Sequence, residues 1–352
     1  MAARQGLQAR SFDLAAVAYS DAVGGAISGD SVARVTEGWG QAVDGHRAAE
    51  AERANRPAQT GERPCDRRLA EVDPIVGQAN LSTDGTMVRI RGEGWKEARL
   101  TAISAVQIKA SENPPGEALC AGGVRPAENG AEQAPRRQPS RRDGDLRVHL
   151  SRHSYQAGLW DVETMGQHQY AEGLRRGIDH CQRLSSVNDG APWIERITST
   201  NFPGIPQIVD WPHASGRVWL VANTVFGDQT PEAKQWAEGQ LDRLWEGQVA
   251  DVVLTLEGLN LDQERWPDGV RQAPGYFRSN QERMRYDVFR AQGYPIGSGT
   301  AESSAQTMVH HRMRRPGRGW QRGKGHAMLA GLSELHSGRF ERAWQATAPQ
   351  AS

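Results

Sequence analysis

The stretch that decides the fold is IVGQANLSTDGTMVRIRGEGWKEARLTAISAVQI, residues 75–108. Its last third alternates small apolar with polar side chains, the pattern of a strand with one buried face. We predict strands over 75–81, 86–91 and 96–108. Because Asp-Gly is a frequent turn sequence, Asp84-Gly85 is expected to join the first two strands. The stretch therefore predicts the beginning of a β-sheet.

Downstream of residue 108 the sequence predicts helices and further strands in alternation. The expected elements are, in order, a Pro-, Gly- and Arg-rich loop over 109–145, an amphipathic helix over 156–180, a strand over 183–188, a strand over 205–209 and a helix over 214–226. Asp189 follows the first of these strands and Asp210 follows the second. This order predicts a mixed α/β fold, with residues 75–229 forming the first part of its core.

Helical sequence flanks this core on both sides. Residues 1–74 are expected to form an N-terminal helical segment and a linker, and the turn and cap within 27–36 are typical of a helix-turn-helix. Short helical hairpins without DNA-binding function are the common alternative. Residues 230–292 predict an all-helical insertion. Residues 293–352 are expected to complete the core, with a helix from Glu302 to about Arg315 and a last helix over 325–335.

Composition limits the class of protein. The chain has 352 residues, with 42 Lys plus Arg and 42 Asp plus Glu, so its net charge indicates no class of partner. No apolar run reaches the roughly 18 residues of a transmembrane helix, and no membrane partner is expected. The N-terminus lacks the apolar segment of a secretory signal. Cys65, Cys120 and Cys181 are widely spaced, which predicts a cytoplasmic protein without a zinc site or a disulfide framework.

The distribution of charge is more informative than its sum. Residues 310–324, HHRMRRPGRGWQRGK, contain six basic residues and no acid. These candidate DNA contacts are Arg312, Arg314, Arg315, Arg318, Arg322 and Lys324. A second basic cluster comprises Arg136, Arg137, Arg141, Arg142, Arg147 and Arg152. Local basic patches on a neutral protein predict a phosphate-binding surface, and the alternative is a solvated charged face.

Three acidic residues in a fixed order carry the strongest chemical signal. They are Asp84, Asp189 and Glu302, and the element Asp210-Trp211-Pro212-His213 lies between the last two. Carboxylates are oxygen ligands suited to magnesium, and two bound ions are a common device for displacement at a phosphodiester. Each signal has a structural alternative: an Asp-Gly turn for Asp84, a helix-dipole acid for Glu302, and a helix cap for Asp210.

The local sequences around these acids resemble the DDE transposases of bacterial insertion sequences, within the Mutator-like group. The most specific match is the string from Gly297 to Ser303, GSGTAES, followed by Arg312-Met313-Arg314 and Gly319-Trp320. The other matching segments are Asp84 to Val88, Trp95 to Glu97, His153 to Tyr155, Arg175 to Gly177, Asp189 to Ile194, Asp210 to His213 and Ser337 to Phe340. The resemblance extends over roughly residues 75–345.

This resemblance implies an RNase H-like catalytic core, with Asp84, Asp189 and Glu302 holding two Mg²⁺ or Mn²⁺ ions and with Asp210 and His213 as auxiliary residues. It implies cleavage at insertion-element ends and transfer of the 3′-hydroxyl into target DNA. The implied partners are double-stranded DNA, both terminal repeats and target, and further copies of this chain. The implied location is the bacterial cytoplasm, in association with the nucleoid.

Two other classes compete with an active transposase. Cysteine spacing gives no zinc ribbon of the kind that precedes some of these enzymes. The first alternative is therefore a catalytically inactive, truncated or domesticated DNA-binding remnant or regulator. The second is a glycosidase, which needs only two carboxylates and leaves the third acid and the arginine-rich segment without a role.

Overall fold

The computed structural model describes residues 1–56, 69–109, 147–297, 305–314 and 319–347. The fold is mixed α/β, with a five-stranded sheet in the order β3-β2-β1-β4-β5. The strands are β1 (Gln78–Ile90), β2 (Gly94–Lys109), β3 (Arg147–Gly158), β4 (Arg183–Asn188) and β5 (Gln207–Val209). β1 pairs with β2 in antiparallel and with β4 in parallel orientation. The predicted fold class is thereby confirmed at the level of a mixed α/β protein.

Helices account for most of the remaining described chain. Before the sheet come α1 (Ala2–Gln8), α2 (Phe12–Val23) and α3 (Gly29–Asn55). Within and after the sheet come α4 (Val162–Arg175), α5 (Pro192–Asn201), α6 (Trp211–Phe226), α7 (Pro231–Trp245), α8 (Val249–Gly258), α9 (Asp268–Arg271), α10 (Ala273–Ser279) and α11 (Tyr286–Ala291). A π-helical turn (Ala305–His310) continues into α12 (His311–Met313), and α13 (Arg322–His336) and α14 (Phe340–Thr347) follow. Short 3₁₀ turns cover Ile178–His180 and Gln281–Met284.

The first hairpin turns at a different place from the one predicted. Asp84 and Gly85 lie inside β1, opposite Leu100 and Arg99 of β2, so the predicted turn at Asp84-Gly85 is wrong. The chain reverses after Ile90, where Gly92 and Gly94 both have φ of 78°. A left-handed backbone favours glycine, so the sequence Arg-Gly-Glu-Gly suits this turn. The strand predicted over 96–108 is confirmed as β2.

β3 was not predicted, and the following helix begins later than expected. Residues 156–158 belong to β3, so the helix predicted over 156–180 begins only at Val162 and ends at Arg175. The start is set by Asp161, whose carboxylate accepts a hydrogen bond from the Thr164 backbone N–H at 2.7 Å. Such a side-chain cap satisfies one of the four unpaired donors of a helix N-terminus. Asp161 is a common N-cap residue, so it is a sequence signal for the boundary between β3 and α4.

Local capping residues set the ends of the N-terminal helices. Ser11 and Ser28 cap α2 and α3, and α2 ends at Gly24 with φ of 70°. α3 extends over 27 residues, well beyond the predicted helix-turn-helix segment. The strands predicted over 183–188 and 205–209 and the helices predicted in 214–226 and 230–290 are also present. The loop predicted over 109–145 falls outside the described residues, apart from Lys109 at the end of β2.

Backbone contacts divide the chain into two compact units. The first comprises Met1–Val106, Leu150–Ile205 and Ser298–Ser352, and the second comprises Gln107–His149 and Pro206–Gly297. The longer part of the second unit begins at Pro206, before residue 230, where the helical insertion was expected to begin. No helix in the described part of the chain has the length and apolar character needed to cross a membrane.

The core of the first unit occupies both faces of β1 and β2. Val88, Ile90 and Leu100 pack with Met308, Leu329 and Phe340 in one buried cluster. Leu81 and Ile103 pack with Phe202 in another. Because strand side chains alternate between faces, Asp84 and Thr86 share the face of Val88 and Ile90. That face is the one packed by the π-helical turn and α13.

Candidate active site

The parallel register of β1 and β4 places two of the predicted aspartates at matching positions. The last pair in this register is Leu81 with Ser186. Asp84 stands at the third position after Leu81, and Asp189 stands at the third position after Ser186. Neighbouring strands lie about 4.8 Å apart, and matching positions of a parallel pair face the same side. Asp189 is the first residue after β4, so the fold brings two chain segments that are 105 residues apart in sequence alongside each other near the two acids.

A side-chain hydrogen bond joins the two strands immediately before these aspartates. Asn188 Oδ1 accepts the backbone N–H of Thr83 at 2.6 Å, and Asn188 Nδ2 donates to Ser186 Oγ at 2.6 Å. Thr83 precedes Asp84 and Asn188 precedes Asp189. The regular pairing ends at Leu81, so the Asn188 amide continues the connection between the strands up to the two acids. We call this pair of bonds the Asn188 clamp.

The clamp is part of a buried polar network. Gln169 Nε2 donates to Thr83 Oγ1 at 3.0 Å, and Asn201 Nδ2 donates to Gln169 Oε1 at 2.9 Å. Ser185 Oγ donates to Asn80 Oδ1 at 2.9 Å within the same two strands. Buried polar groups need such partners to offset the loss of water. This explains why β4, with Ser185 and Ser186, is a strand despite its polar sequence.

Each aspartate is also oriented locally and is half-buried. Asp84 Oδ1 accepts the N–H of Gly85 at 2.7 Å, and Asp189 Oδ1 accepts the N–H of Ala191 at 2.8 Å. Gly190, between Asp189 and α5, has φ of 87°, a conformation that favours glycine. A side chain at Gly85 would collide with Glu97, which lies over it. Gly85 thus leaves room for the Glu97 side chain beside Asp84, and Gly190 allows the chain to turn directly after Asp189.

The third predicted acid, Glu302, lies outside the described residues. The described segment nearest to it, the π-helical turn Ala305–His310, packs against β1. His310 Nε2 and Thr86 Oγ1 are hydrogen bonded at 2.8 Å, and Thr86 is two residues beyond Asp84 on the same strand. π-Helical turns within helices are often found at functional sites. The described segment that begins at Ala305 therefore contacts the strand that carries Asp84.

Asp210 and His213 form a dyad in the second unit. His213 Nδ1 and Asp210 Oδ2 are 2.6 Å apart, with Asp210 buried and His213 half-exposed. Asp210 precedes α6 but its side chain makes no capping hydrogen bond, so the alternative of a simple helix cap is not the observed arrangement. The Trp211 N–H donates to the Ile296 carbonyl at 2.8 Å, and Gly297 approaches Asp210. The beginning of the Gly-Ser-Gly segment thus lies next to this dyad.

An aromatic cluster holds α6 in place within the second unit. Trp211 meets the rings of Trp245 and Tyr286 edge-on, with centroids 5.1 and 5.0 Å away. The Tyr286 hydroxyl donates to the Val209 carbonyl at 3.0 Å, and burial raises the pKa of Tyr286. Edge-to-face packing of this kind adds to the stability given by buried area alone. The cluster fixes the backbone on both sides of Asp210.

The described acids supply part of the predicted metal-ligand set. Within the described ranges no group of three or more His, Cys, Asp or Glu side chains is placed to hold a metal ion. Asp84 and Asp189 supply two oxygen donors of the type that magnesium prefers, and Glu302 is beyond those ranges. The donor chemistry of the two described acids fits a divalent cation.

The predicted DNA-contacting residues have different environments. Arg312 is 5% exposed, donates from Nε to the Gly6 carbonyl at 3.0 Å, and stacks on the rings of Phe12 and Trp320. Because this side chain is buried, Arg312 does not belong to a DNA-binding surface.

Arg314 is exposed and lies over the ring of Trp95. Arg322 and Lys324 form surface ion pairs with Glu93 and Glu37. Arg315 and Arg318 lie outside the described residues.

Trp320 is partly buried and packs against the core. Its backbone bridges the end of β1, with the Trp320 N–H donating to the Arg89 carbonyl at 2.9 Å and the Arg91 N–H donating to the Trp320 carbonyl at 2.8 Å. Its ring joins the cluster around Val88 and Ile90. The basic segment is thereby attached to the tip of the first hairpin.

Several residues in the matching segments belong to a buried ion network that sequence reasoning missed. Arg339 Nη1 contacts Glu172 Oε1 at 2.7 Å, and Arg339 also bonds Glu334. Arg175 contacts Glu172 and, at 2.7 Å, Glu50, and Arg47 completes the network by pairing with Glu50 and Glu334. Burial would raise the pKa of Glu172, but Arg339 and Arg175 hold it well below its ordinary value. In these two matching segments, Arg175 and Arg339 therefore have a structural role in the buried ion network. Two arginines far apart in the sequence do not indicate such a network.

Comparisons with protein-family models and with curated protein sequences found no match to this chain.

Proposed function

We propose that this protein is a metal-dependent DNA-cleaving and DNA-joining enzyme, a transposase of the DDE type. The single observation that supports the proposal is the 2.6 Å hydrogen bond from the Thr83 N–H to Asn188 Oδ1, because Thr83 directly precedes Asp84 and Asn188 directly precedes Asp189. Two carboxylates on neighbouring stretches of chain supply oxygen ligands of the kind that divalent cations take in proteins. The resemblance of the surrounding sequences to DDE transposases gives that cation its role.

The remaining chemistry follows from the protein's own groups. Asp84, Asp189 and Glu302 would hold Mg²⁺ or Mn²⁺, which would supply charge stabilisation for displacement at phosphorus. The Asn188 clamp and the hydrogen bonds from Gly85 and Ala191 keep the first two carboxylates in one orientation before any ligand is present. Preorganised groups need little rearrangement during reaction, which favours catalysis.

The Asp210–His213 dyad is suited to proton transfer or to a hydrogen bond with phosphate. A buried carboxylate on Nδ1 holds the imidazole in one orientation and favours the tautomer in which Nδ1 carries the proton. In the proposed enzyme His213 acts on a water or on a phosphate oxygen, and Asp210 positions it.

The decisive experiment is magnesium-dependent nicking of a plasmid that carries the element ends. Asp84→Asn, Asp189→Asn and Glu302→Gln should each lower the nicking rate by at least about a thousandfold while duplex binding is retained. Asp21→Asn changes an exposed acid on α2 and serves as the control with the wild-type rate. A triad variant that nicks normally removes its residue from the site.

The same assay separates the enzyme from the alternative of a non-catalytic DNA-binding remnant. A remnant would bind the duplex but would leave the plasmid intact with Mg²⁺ or Mn²⁺. That result for the wild-type chain contradicts the proposed function.

A further inference from the structure

A positively charged pocket lies in the first unit, away from the candidate active site. Its volume is about 260 Å³, and it opens between the C-terminal half of α3, the end of α4 and helices α13 and α14. Arg175 ends α4, and the chain then enters β4 at Arg183, whereas Asp189 follows the other end of β4. The pocket and the two aspartates are therefore at opposite ends of this strand.

The floor of the pocket is electrically balanced. Arg47, Arg175 and Arg339 are buried there and pair with three carboxylates, those of Glu50, Glu172 and Glu334. Each acid is engaged by at least two of the arginines. Their negative charge is therefore already neutralised and does not oppose an incoming anion.

The rim adds positive charge that nothing described balances. Arg53 of α3 and Arg342 of α14 line the pocket, and both are exposed. Neither has an ion-pair partner in the part of the chain that the structure describes. Among the described residues, the pocket lining and its paired carboxylates therefore carry two positive charges in excess, both on exposed side chains.

The floor also holds a donor without an acceptor. Arg175 is 2% exposed, and its Nε has no hydrogen-bond partner among the described residues. Burial lowers the pKa of Arg175, despite the opposing effect of Glu172. A buried guanidinium donor without a partner is destabilising, so the floor keeps an unused capacity to donate a hydrogen bond.

We propose that this pocket binds a phosphate group, either free or within a phosphodiester. Guanidinium groups form paired hydrogen bonds with phosphate oxygens, and a tetrahedral dianion can face several arginines at once. Arg53 and Arg342 would close on the anion from the rim while the buried network keeps the floor rigid. The inference is independent of nuclease or transposase activity.

The test measures binding of inorganic phosphate to the full chain by titration calorimetry at constant ionic strength. The double variant Arg53→Gln/Arg342→Gln should weaken phosphate binding at least tenfold. Both side chains are exposed, so the fold should be kept, and an unchanged melting temperature without phosphate verifies this. Arg34→Gln is the matched control, because Arg34 is an exposed arginine on the same helix, about 28 Å from Arg53 along its axis.

A parallel titration with a short DNA duplex of arbitrary sequence identifies the source of the phosphate. Weaker duplex binding by the double variant, relative to the control, supports a phosphodiester ligand. Weaker binding of inorganic phosphate alone supports a free anion. The proposal is overturned if the double variant binds both ligands as tightly as the wild type does, or if the wild type binds neither.

Discussion

The side-chain amide of Asn188 links the two chain segments that carry Asp84 and Asp189. Its side chain takes over the connection between β1 and β4 where the regular hydrogen bonds stop. The backbone N–H of Thr83 is buried, so it needs this acceptor. The position of Asp84 relative to Asp189 therefore depends on a neutral residue beside them.

We predict that Asn188→Ala lowers the nicking rate at least tenfold and destabilises the protein by about 1–3 kcal/mol. The reason is that the Thr83 N–H loses its acceptor and the two aspartates lose their spacing. Nicking is measured well below the melting temperature, so that the two effects are separated. Ser186→Ala removes only the acceptor of Asn188 Nδ2 and should have a smaller effect. Wild-type nicking by Asn188→Ala would show that the clamp has no role in positioning.

Arg312 and Arg314 are two positions apart in one basic segment but have opposite surroundings. Arg312 is stacked in the core, and Arg314 is exposed. The sequence around them is equally basic, so only burial distinguishes the structural role of Arg312 from the proposed DNA contact of Arg314.

Arg314→Ala is expected to weaken duplex binding severalfold and to reduce its salt dependence by about one released counterion. Arg312→Ala should instead lower the melting temperature, because it leaves a cavity between Phe12 and Trp320. Duplex titrations at several salt concentrations and thermal unfolding distinguish the two. A large stability loss in Arg314→Ala would contradict this division of roles.

At the scale of elements, α4 carries a histidine whose charge state is set by burial. His168 stacks on the ring of Trp160, with centroids 4.0 Å apart and planes 14° from parallel. Burial lowers the pKa of His168 to about 4. In the folded protein this side chain is therefore neutral at physiological pH.

This shift predicts a pH dependence of stability. Between pH of about 6.5 and 4 the unfolded chain binds a proton at His168 that the folded chain does not. The free energy of unfolding therefore decreases as the pH is lowered through this range. The loss reaches about 3 kcal/mol at the acidic end, and His168 contributes none above pH of about 6.5. His168→Phe keeps a ring on Trp160 and should flatten melting temperature against pH between 6.5 and 4.5. An unchanged slope would assign the dependence to other groups.

At the scale of the whole chain, the buried ion network joins parts that are remote in sequence. Arg47 on α3, Glu172 on α4 and Glu334 on α13 meet only through the tertiary fold. Breaking such a network by removing one partner is far more costly than losing a surface pair. Arg339, between two buried acids, is its most sensitive member.

We expect Arg339→Ala to reduce stability by about 3–5 kcal/mol, because Glu172 and Glu334 lose a shared partner while still buried. Arg342→Ala, three residues later on the exposed surface, should change stability by no more than about 0.5 kcal/mol. Urea unfolding of both variants measures the difference. Equal midpoints would mean that the network does not support the fold.

Local chemistry in the sequence was sufficient for much of the element structure. Ser11 and Ser28 mark the starts of two helices, and the alternation around Leu100 marks β2. These features depend on neighbours within a few residues, so they can be recognised without the fold.

Tertiary structure alone decided what those local patterns could not. Asp84-Gly85 reads as a turn, but the longer pairing of β1 with β2 and the two glycines after Ile90 place it inside a strand. Arg312 was predicted to contact DNA, but its side chain is buried against the rings of Phe12 and Trp320. In each case the competing energies come from residues distant in sequence. Burial, register and shared charge exist only after the chain has folded.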